Sequence, residues 1–196
     1  MSDQSNYPKY SELRSMYKCD IDVYNALYQL KTENEEELNK IYKMIKTELI
    51  NSKKQLPTII IKDISSIISY NNRYINSYLY LANLIYDDYH VKVVNNIDKI
   101  FEIMFYEEYG IKLNKYHDCK KNDYQNLDIH VGNTIYRAIL NNDLERFITF
   151  TGRDGFDKDQ VLKSDLYPNS YNDYSLLELC CYHGAVDCFK FFMNEI

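Results

Sequence analysis

Apolar residues recur at three- and four-residue spacing between residues 13 and 105, with polar residues between them. This spacing puts the apolar side chains on one face of a helix and is typical of amphipathic α-helices. No glycine occurs before Gly110, so turn-forming residues are scarce in this region. The runs predict five helices. Their apolar positions are Leu13, Met16, Tyr17, Tyr24 and Leu27; Leu38, Ile41, Tyr42, Ile45 and Leu49; Ile64, Ile67 and Ile68; Ile75, Tyr78, Leu79, Ala82 and Ile85; and Val94, Ile97, Ile100, Phe101, Met104 and Phe105.

Local signals mark where two of these helices begin. Residues 32–35, from Thr32 to Glu35, have the spacing of a capping box and precede the second run. Pro57 suits the first turn of the third helix. The β-branched residues 59–61 would also suit a short strand, but the helical spacing that resumes at Ile64 favours a helix. Short links between the five helices predict an N-terminal helical bundle over residues 1–109.

Residues 110–132 differ from what precedes them. The segment is rich in Lys, Asn and Asp and has no apolar periodicity, which is typical of a linker or a long loop. We therefore place a domain boundary there and expect a second region over residues 133–196.

The second region contains an internal repeat. When Phe147 is placed over Phe189, residues 133–150 superpose on residues 175–192, and Asn142 falls on Gly184. Both copies have a small residue in a first helix, a turn, and an acidic residue before an apolar second helix. Two helix–turn–helix units are predicted, neither of which can bury its apolar face alone.

The second copy resembles the ankyrin repeat. Residues 175–181 read SLLELCC where the family has T-P-L-H-x-A-A, and residues 184–192 read GAVDCFKFF where it has G-H-x-E-I-V-K-L-L. Leu176 replaces the family's Pro and Glu178 its His, so the repeat is divergent. The order of a helical N-terminal region followed by divergent repeats resembles the arrangement in the large ankyrin families of protists. The resemblance implies an all-α protein, an N-terminal helical bundle followed by two ankyrin-like units, that binds another protein.

The same resemblance suggests where a partner binds. Phe189, Phe192 and Met193 lie on the last helix, on a face that a following repeat would cover. The first interpretation of this open edge is an array that continues beyond the chain. The alternatives are a partner that covers it or the N-terminal bundle folding back on it. The long insertion between the two units supplies three further candidate contact residues, Tyr167, Tyr171 and Tyr174.

Charge and hydropathy narrow the class of partner. The chain has a formal net charge of −6 and a pI near 5.3, which gives no general attraction to nucleic acid or anionic membranes. Residues 133–196 hold six basic and ten acidic residues, which favours a basic protein partner. The sequence shows no secretory signal and no membrane span, and we expect a cytoplasmic protein.

Cysteine and histidine residues are the candidates for chemistry. Cys180 and Cys181 are adjacent, a spacing that suits neither disulfides nor zinc chelation, and His183 and Cys188 lie nearby. The loop residues His117, Cys119 and His130 lack a fourth ligand. We therefore expect no metal, no cofactor and no enzymatic activity.

The predicted function is that of a protein-binding adaptor or scaffold. Two alternatives stay open, a metal-dependent enzyme that uses Cys and His residues and a structural protein that self-associates through its C-terminal edge.

Overall fold

A computed structural model describes residues 8–115, 124–168 and 173–195 of the chain, and these are mostly helical. The predicted all-α class is confirmed at this level, since the strands found in the described residues span only two residues each. The chain divides into two compact units, residues 1–116 and residues 117–196. In the described ranges no helix combines the length and the apolar character needed to cross a membrane.

The first unit is helical throughout its regular elements. These are α1 (Tyr10–Met16), α2 (Lys18–Tyr28), α3 (Glu35–Met44) with a π-helix at Ile45–Ile50, α4 (Pro57–Ile67), 3-10 turns at Ile68–Tyr70 and Asn72–Tyr74, α5 (Ile75–Tyr89) and α6 (Lys99–Tyr109). Helix α5 packs against α3 and α4, and the π-helical segment packs against α2. The Tyr78 side chain is fully buried in this core, and its hydroxyl donates a hydrogen bond of 2.8 Å to the Leu27 carbonyl.

Helix boundaries in this unit follow side-chain caps more closely than apolar spacing. The predicted capping residue Thr32 is not the cap of α3, since the Asn34 side chain accepts from the amides of Glu36 and Glu37 instead. Helix α6 begins after Asp98, whose carboxylate accepts from the Phe101 amide at 3.0 Å. The β-branched residues 59–61 lie within α4, which confirms the helix prediction for them.

The second unit contains two helix pairs. The first helix pair is α7 (Ile135–Leu140) and α8 (Leu144–Thr151), and the second helix pair is α9 (Leu176–His183) and α10 (Val186–Glu195). Between them, β1 (Val161–Leu162) pairs antiparallel with β2 (Tyr174–Ser175). Helix α7 packs against α9, and α8 packs against α10. The two pairs are therefore stacked, with first helix on first helix and second helix on second helix.

Candidate functional site

The turns inside the two helix pairs have the same geometry, 42 residues apart. Asn142 and Gly184 occupy equivalent positions, and both are left-handed, with φ of 51° and 62°. In each turn the next amide bonds to the carbonyl five residues earlier, Asp143 to Ala138 and Ala185 to Cys180, both at 2.8 Å. A side chain is rarely tolerated in this conformation, and Gly and Asn are the residues that adopt it most readily.

Asn142 also links the two helix pairs. Its side-chain oxygen accepts from the amides of Asp187 at 3.0 Å and Cys188 at 3.3 Å, and its side-chain nitrogen donates to the Asp187 carboxylate at 2.7 Å. The first turn of α10 is thus capped by a residue of the first helix pair. Such a cap satisfies amides that have no partner inside the helix.

Aromatic rings fill the interface between α8 and α10. Phe147 has no exposed surface, and its ring centroid lies 6.3 Å from that of Phe191 and 6.2 Å from that of Phe192. Cys188, one turn earlier on α10, is also fully buried. The first helix pair therefore inserts one phenylalanine between two aromatic residues of the second.

The second helix pair has no equivalent neighbour on its other side among the described residues. Phe189, the counterpart of Phe147, is only half-buried, and Cys181, the counterpart of the fully buried Ile139, is exposed. Val186 and Met193, on the same side of α10, are 51% and 59% exposed. We call these residues, with the half-buried Leu177, the open face; its members are Leu177, Cys181, Val186, Phe189 and Met193.

The structure places the three predicted α10 residues in two environments. Phe189 and Met193 belong to the open face. Phe192 was expected there too, but it packs against Phe147. The physical reason is the rotation of about 100° per residue along a helix, which turns residues 188, 191 and 192 toward α8 and residues 186 and 193 away from it.

Among the insertion tyrosines, Tyr167 differs from expectation. Tyr167 is 2% exposed, so it lies in the interior rather than on a binding surface. Its hydroxyl lies 2.8 Å from Nε2 of His183 and 3.3 Å from Nε2 of His130, and these two partners hold the phenol inside. Tyr174 is half-buried, with its hydroxyl donating to the Pro168 carbonyl and its ring 5.2 Å from that of Tyr167. Tyr171 lies outside the described residues.

Burial shifts the pKa values of three side chains in this unit. Desolvation lowers the pKa of His130 to about 4, and the buried Nδ1 atom of this ring has no hydrogen-bond partner in the described structure. Desolvation likewise raises the pKa of the Cys180 thiol to about 12 and that of Cys188 to about 11. Thiols with such pKa values stay protonated near neutral pH and react slowly.

The candidate metal ligands of the second helix pair differ in burial and in hydrogen bonding. The Nε2 atom of His183 is used by Tyr167, and Cys181 is exposed while Cys180 and Cys188 are buried. Within the described ranges no three His, Cys, Asp or Glu side chains are grouped so that they could hold a metal ion. His117 and Cys119 lie outside those ranges.

Sequence reasoning missed three residues of the open face, Leu177, Cys181 and Val186. Their signal was present in the repeat, because each has a counterpart 42 residues earlier: Ile135, Ile139 and Leu144. Ile135 and Ile139 are buried in the first helix pair. Carrying the superposition through every residue, rather than through the motif alone, would have identified the whole surface.

No protein-family model, no curated protein and no solved structure matches this chain.

Proposed function

We propose that this chain is a protein-binding module, in which an N-terminal helical bundle precedes two divergent ankyrin-like units that bind a partner through the open face. One observation carries the proposal. Residues of the first helix pair that are buried against the second pair have counterparts, 42 residues later, that are exposed or half-buried. Phe147 and Phe189 are the clearest case, since they are the same residue type in two different environments.

The chemistry of the open face favours a protein partner. Its side chains are apolar or weakly polar and lie on adjacent helices, α9 and α10. Clustered exposed apolar side chains are typical of protein interaction sites. The first helix pair supplies a template for the partner, because Phe147 is received there by two aromatic rings. A helix pair with apolar residues at matching positions would receive Phe189 in the same way.

Local geometry supports the ankyrin-like part of the proposal. The pairs stack with α7 on α9 and α8 on α10, an arrangement in which each unit contacts its neighbours through both helices. Gly184 is left-handed where the repeat has its turn glycine. Ser175 and Glu178 form a capping box at the start of α9, at the position of the family's Thr.

Duplicating the second helix pair tests whether the open face accepts a neighbour. A copy of residues 155–196 joined after Ile196 continues the 42-residue spacing and offers Phe191 and Phe192 of the copy to Phe189. Cys181 of the copy is replaced by Ala, so that labelling of the original Cys181 is read alone. We expect the extension to slow labelling of Cys181 at least about tenfold, the effect of about 1.4 kcal/mol of stacking free energy.

Two variants and one internal reference complete the experiment. Phe189→Glu in the original pair should abolish the protection, since a charge would be buried without a partner. Lys190→Glu is the matched control on the same helix and should leave the protection of Cys181 intact. The residue equivalent to Lys190 in the first helix pair, Ile148, is 43% exposed although that pair is stacked. Cys19, exposed in the first unit, should label at one rate throughout. Equal labelling of Cys181 with and without the extension would rule out stacking at this face.

A further inference from the structure

Three arginines line one groove on the first helix pair. Arg137 on α7, Arg146 on α8 and Arg153 just after α8 surround a groove of about 440 Å³, together with Thr149 and Phe150. The range 133–196 has six basic residues, and these arginines are three of them. No carboxylate is among the described residues that line the groove. We call it the arginine groove.

The groove occupies the surface that the second helix pair uses for stacking. At the positions of Arg137 and Arg146, 42 residues on, stand Leu179 and Cys188, which are 1% and 0% exposed. The same surface is therefore an apolar interface in one pair and a basic groove in the other. A solvated end face of a repeat array would need only mixed polar residues, whereas these arginines all carry one sign of charge.

The guanidinium groups retain unused donors. Arg153 lies over the Phe150 ring, 4.1 Å from its centroid, and makes no ion pair or side-chain hydrogen bond in the described part of the chain. Arg137 uses Nη1 to donate to the Gly132 carbonyl at 3.3 Å. Arg146 uses Nε to pair with Asp143, also at 3.3 Å. Because each guanidinium has five N–H donors, most of them stay available to a ligand.

Acidic residues nearby limit how basic the groove is. Asp143 offsets part of the Arg146 charge, and Asp154 and Asp157 line a neighbouring hollow together with Arg153. Net negative charge alone is therefore not enough for a ligand to bind the groove, and it must also pair with individual arginines. Carboxylates spaced along a chain can each pair with one arginine through two parallel hydrogen bonds, which is the geometry that guanidinium groups favour.

We infer that the arginine groove binds an acidic peptide segment of a partner protein. The charge of the groove selects carboxylates, and its volume suits a short extended segment rather than a folded domain. This site is separate from the open face, and either can exist without the other.

Fluorescence anisotropy with the full-length chain tests the assignment. The probe is a fluorescein-labelled peptide of alternating Glu and Ala, and the reference is its Gln–Ala counterpart. We expect the triple variant Arg137→Gln, Arg146→Gln, Arg153→Gln to weaken binding of the Glu peptide by at least about tenfold, the effect of losing one charge-assisted hydrogen bond or more. The Gln peptide should not bind.

The other three basic residues of the region supply a matched control. The triple variant Lys158→Gln, Lys163→Gln, Lys190→Gln removes the same charge outside the groove and should change affinity by less than about threefold, a screened long-range effect. Equal losses in both triple variants would overturn the inference, as would failure of the wild-type chain to bind the Glu peptide at low salt. Competition with inorganic phosphate separates a second source of negative charge. Binding of phosphate without binding of the Glu peptide would overturn the acidic-peptide assignment.

Discussion

Tyr167 connects two histidines that lie far from it in the sequence. His130 is 37 residues away and His183 is 16 residues away, yet both present Nε2 to the same hydroxyl. A hydroxyl has one proton to donate, so the shorter contact, with His183, suits donation by Tyr167. His130 then donates from Nε2, and its buried Nδ1 is left as an acceptor without a donor. A second proton on His130 would lie on this buried Nδ1, which has no acceptor, so burial favours the neutral ring.

Protonation of His130 should therefore destabilise the second unit. The pKa of His130 is about 4 in the folded chain, against 6.5 for the unperturbed group, so the unfolded state binds the proton first. Neutral His130 contributes fully to the free energy of unfolding above about pH 6.5. This contribution, up to about 3 kcal/mol, is lost as the pH falls toward 4.

Urea unfolding at pH 7 and pH 5 measures this effect. From pH 7 to pH 5 the free energy of unfolding should fall by about 2 kcal/mol more in the wild-type chain than in His130→Phe. The Phe variant keeps an aromatic ring but has no group to protonate. His90→Asn is the control, since His90 is exposed and left-handed and Asn tolerates that conformation. It should keep the wild-type pH dependence. The same pH dependence in His130→Phe would show that His130 is not the titrating group.

Among the elements, α10 depends on a residue outside itself. Asn142 contributes a left-handed turn to the first helix pair and a side-chain cap to the second. Changing Asn142 to Gly removes only the cap, whereas changing it to Ala removes the cap and strains the turn. We expect a loss of about 1 kcal/mol for Asn142→Gly and of about 2–3 kcal/mol for Asn142→Ala.

Chemical unfolding of the two Asn142 variants, compared with the wild-type chain, tests both roles. Equal losses in the two variants would mean that the turn conformation costs nothing, and losses below about 0.5 kcal/mol in both would mean that the cap does not stabilise α10.

The sequence predicted helices better than it predicted their ends. Apolar spacing identified α4 despite its β-branched residues, because the pattern of burial outweighs the weak preference of isoleucine for strands. The run that starts at Leu13 is split at Tyr17 into α1 and α2, and no residue of α1 is buried. Apolar spacing alone could not show this, because a helix can carry an apolar stripe that nothing covers.

At the scale of the whole chain, the repeat was the most informative sequence feature. The superposition of Phe147 on Phe189 predicted the turn at Gly184 and two of the five residues of the open face, Phe189 and Met193. The sequence did not predict the arginine groove, because the net charge of residues 133–196 is negative and conceals a local cluster of positive side chains. It missed the burial of Tyr167 because no local pattern relates that residue to His130.

The two faces of the stacked pairs have different chemistry. The open face is apolar, and the surface at the other side of the stack carries the arginine groove. The proposed partner binds the open face. Substitutions confined to it should remove partner binding without unfolding the chain, since Val186 and Met193 are more than half exposed.

Affinity capture from the cells that make the protein tests whether a partner binds the open face. The bait is compared in three forms: wild type, Val186→Glu with Met193→Glu, and a control that carries Val131→Glu with Val161→Glu. The control residues are 68% and 52% exposed and lie outside the open face. We expect the wild type and the control to retain a protein whose recovery with the open-face variant is lower by at least about tenfold, the effect of losing a binding hot spot. Retention of the same proteins by all three forms, or of none by the wild type, would show that the open face binds no partner.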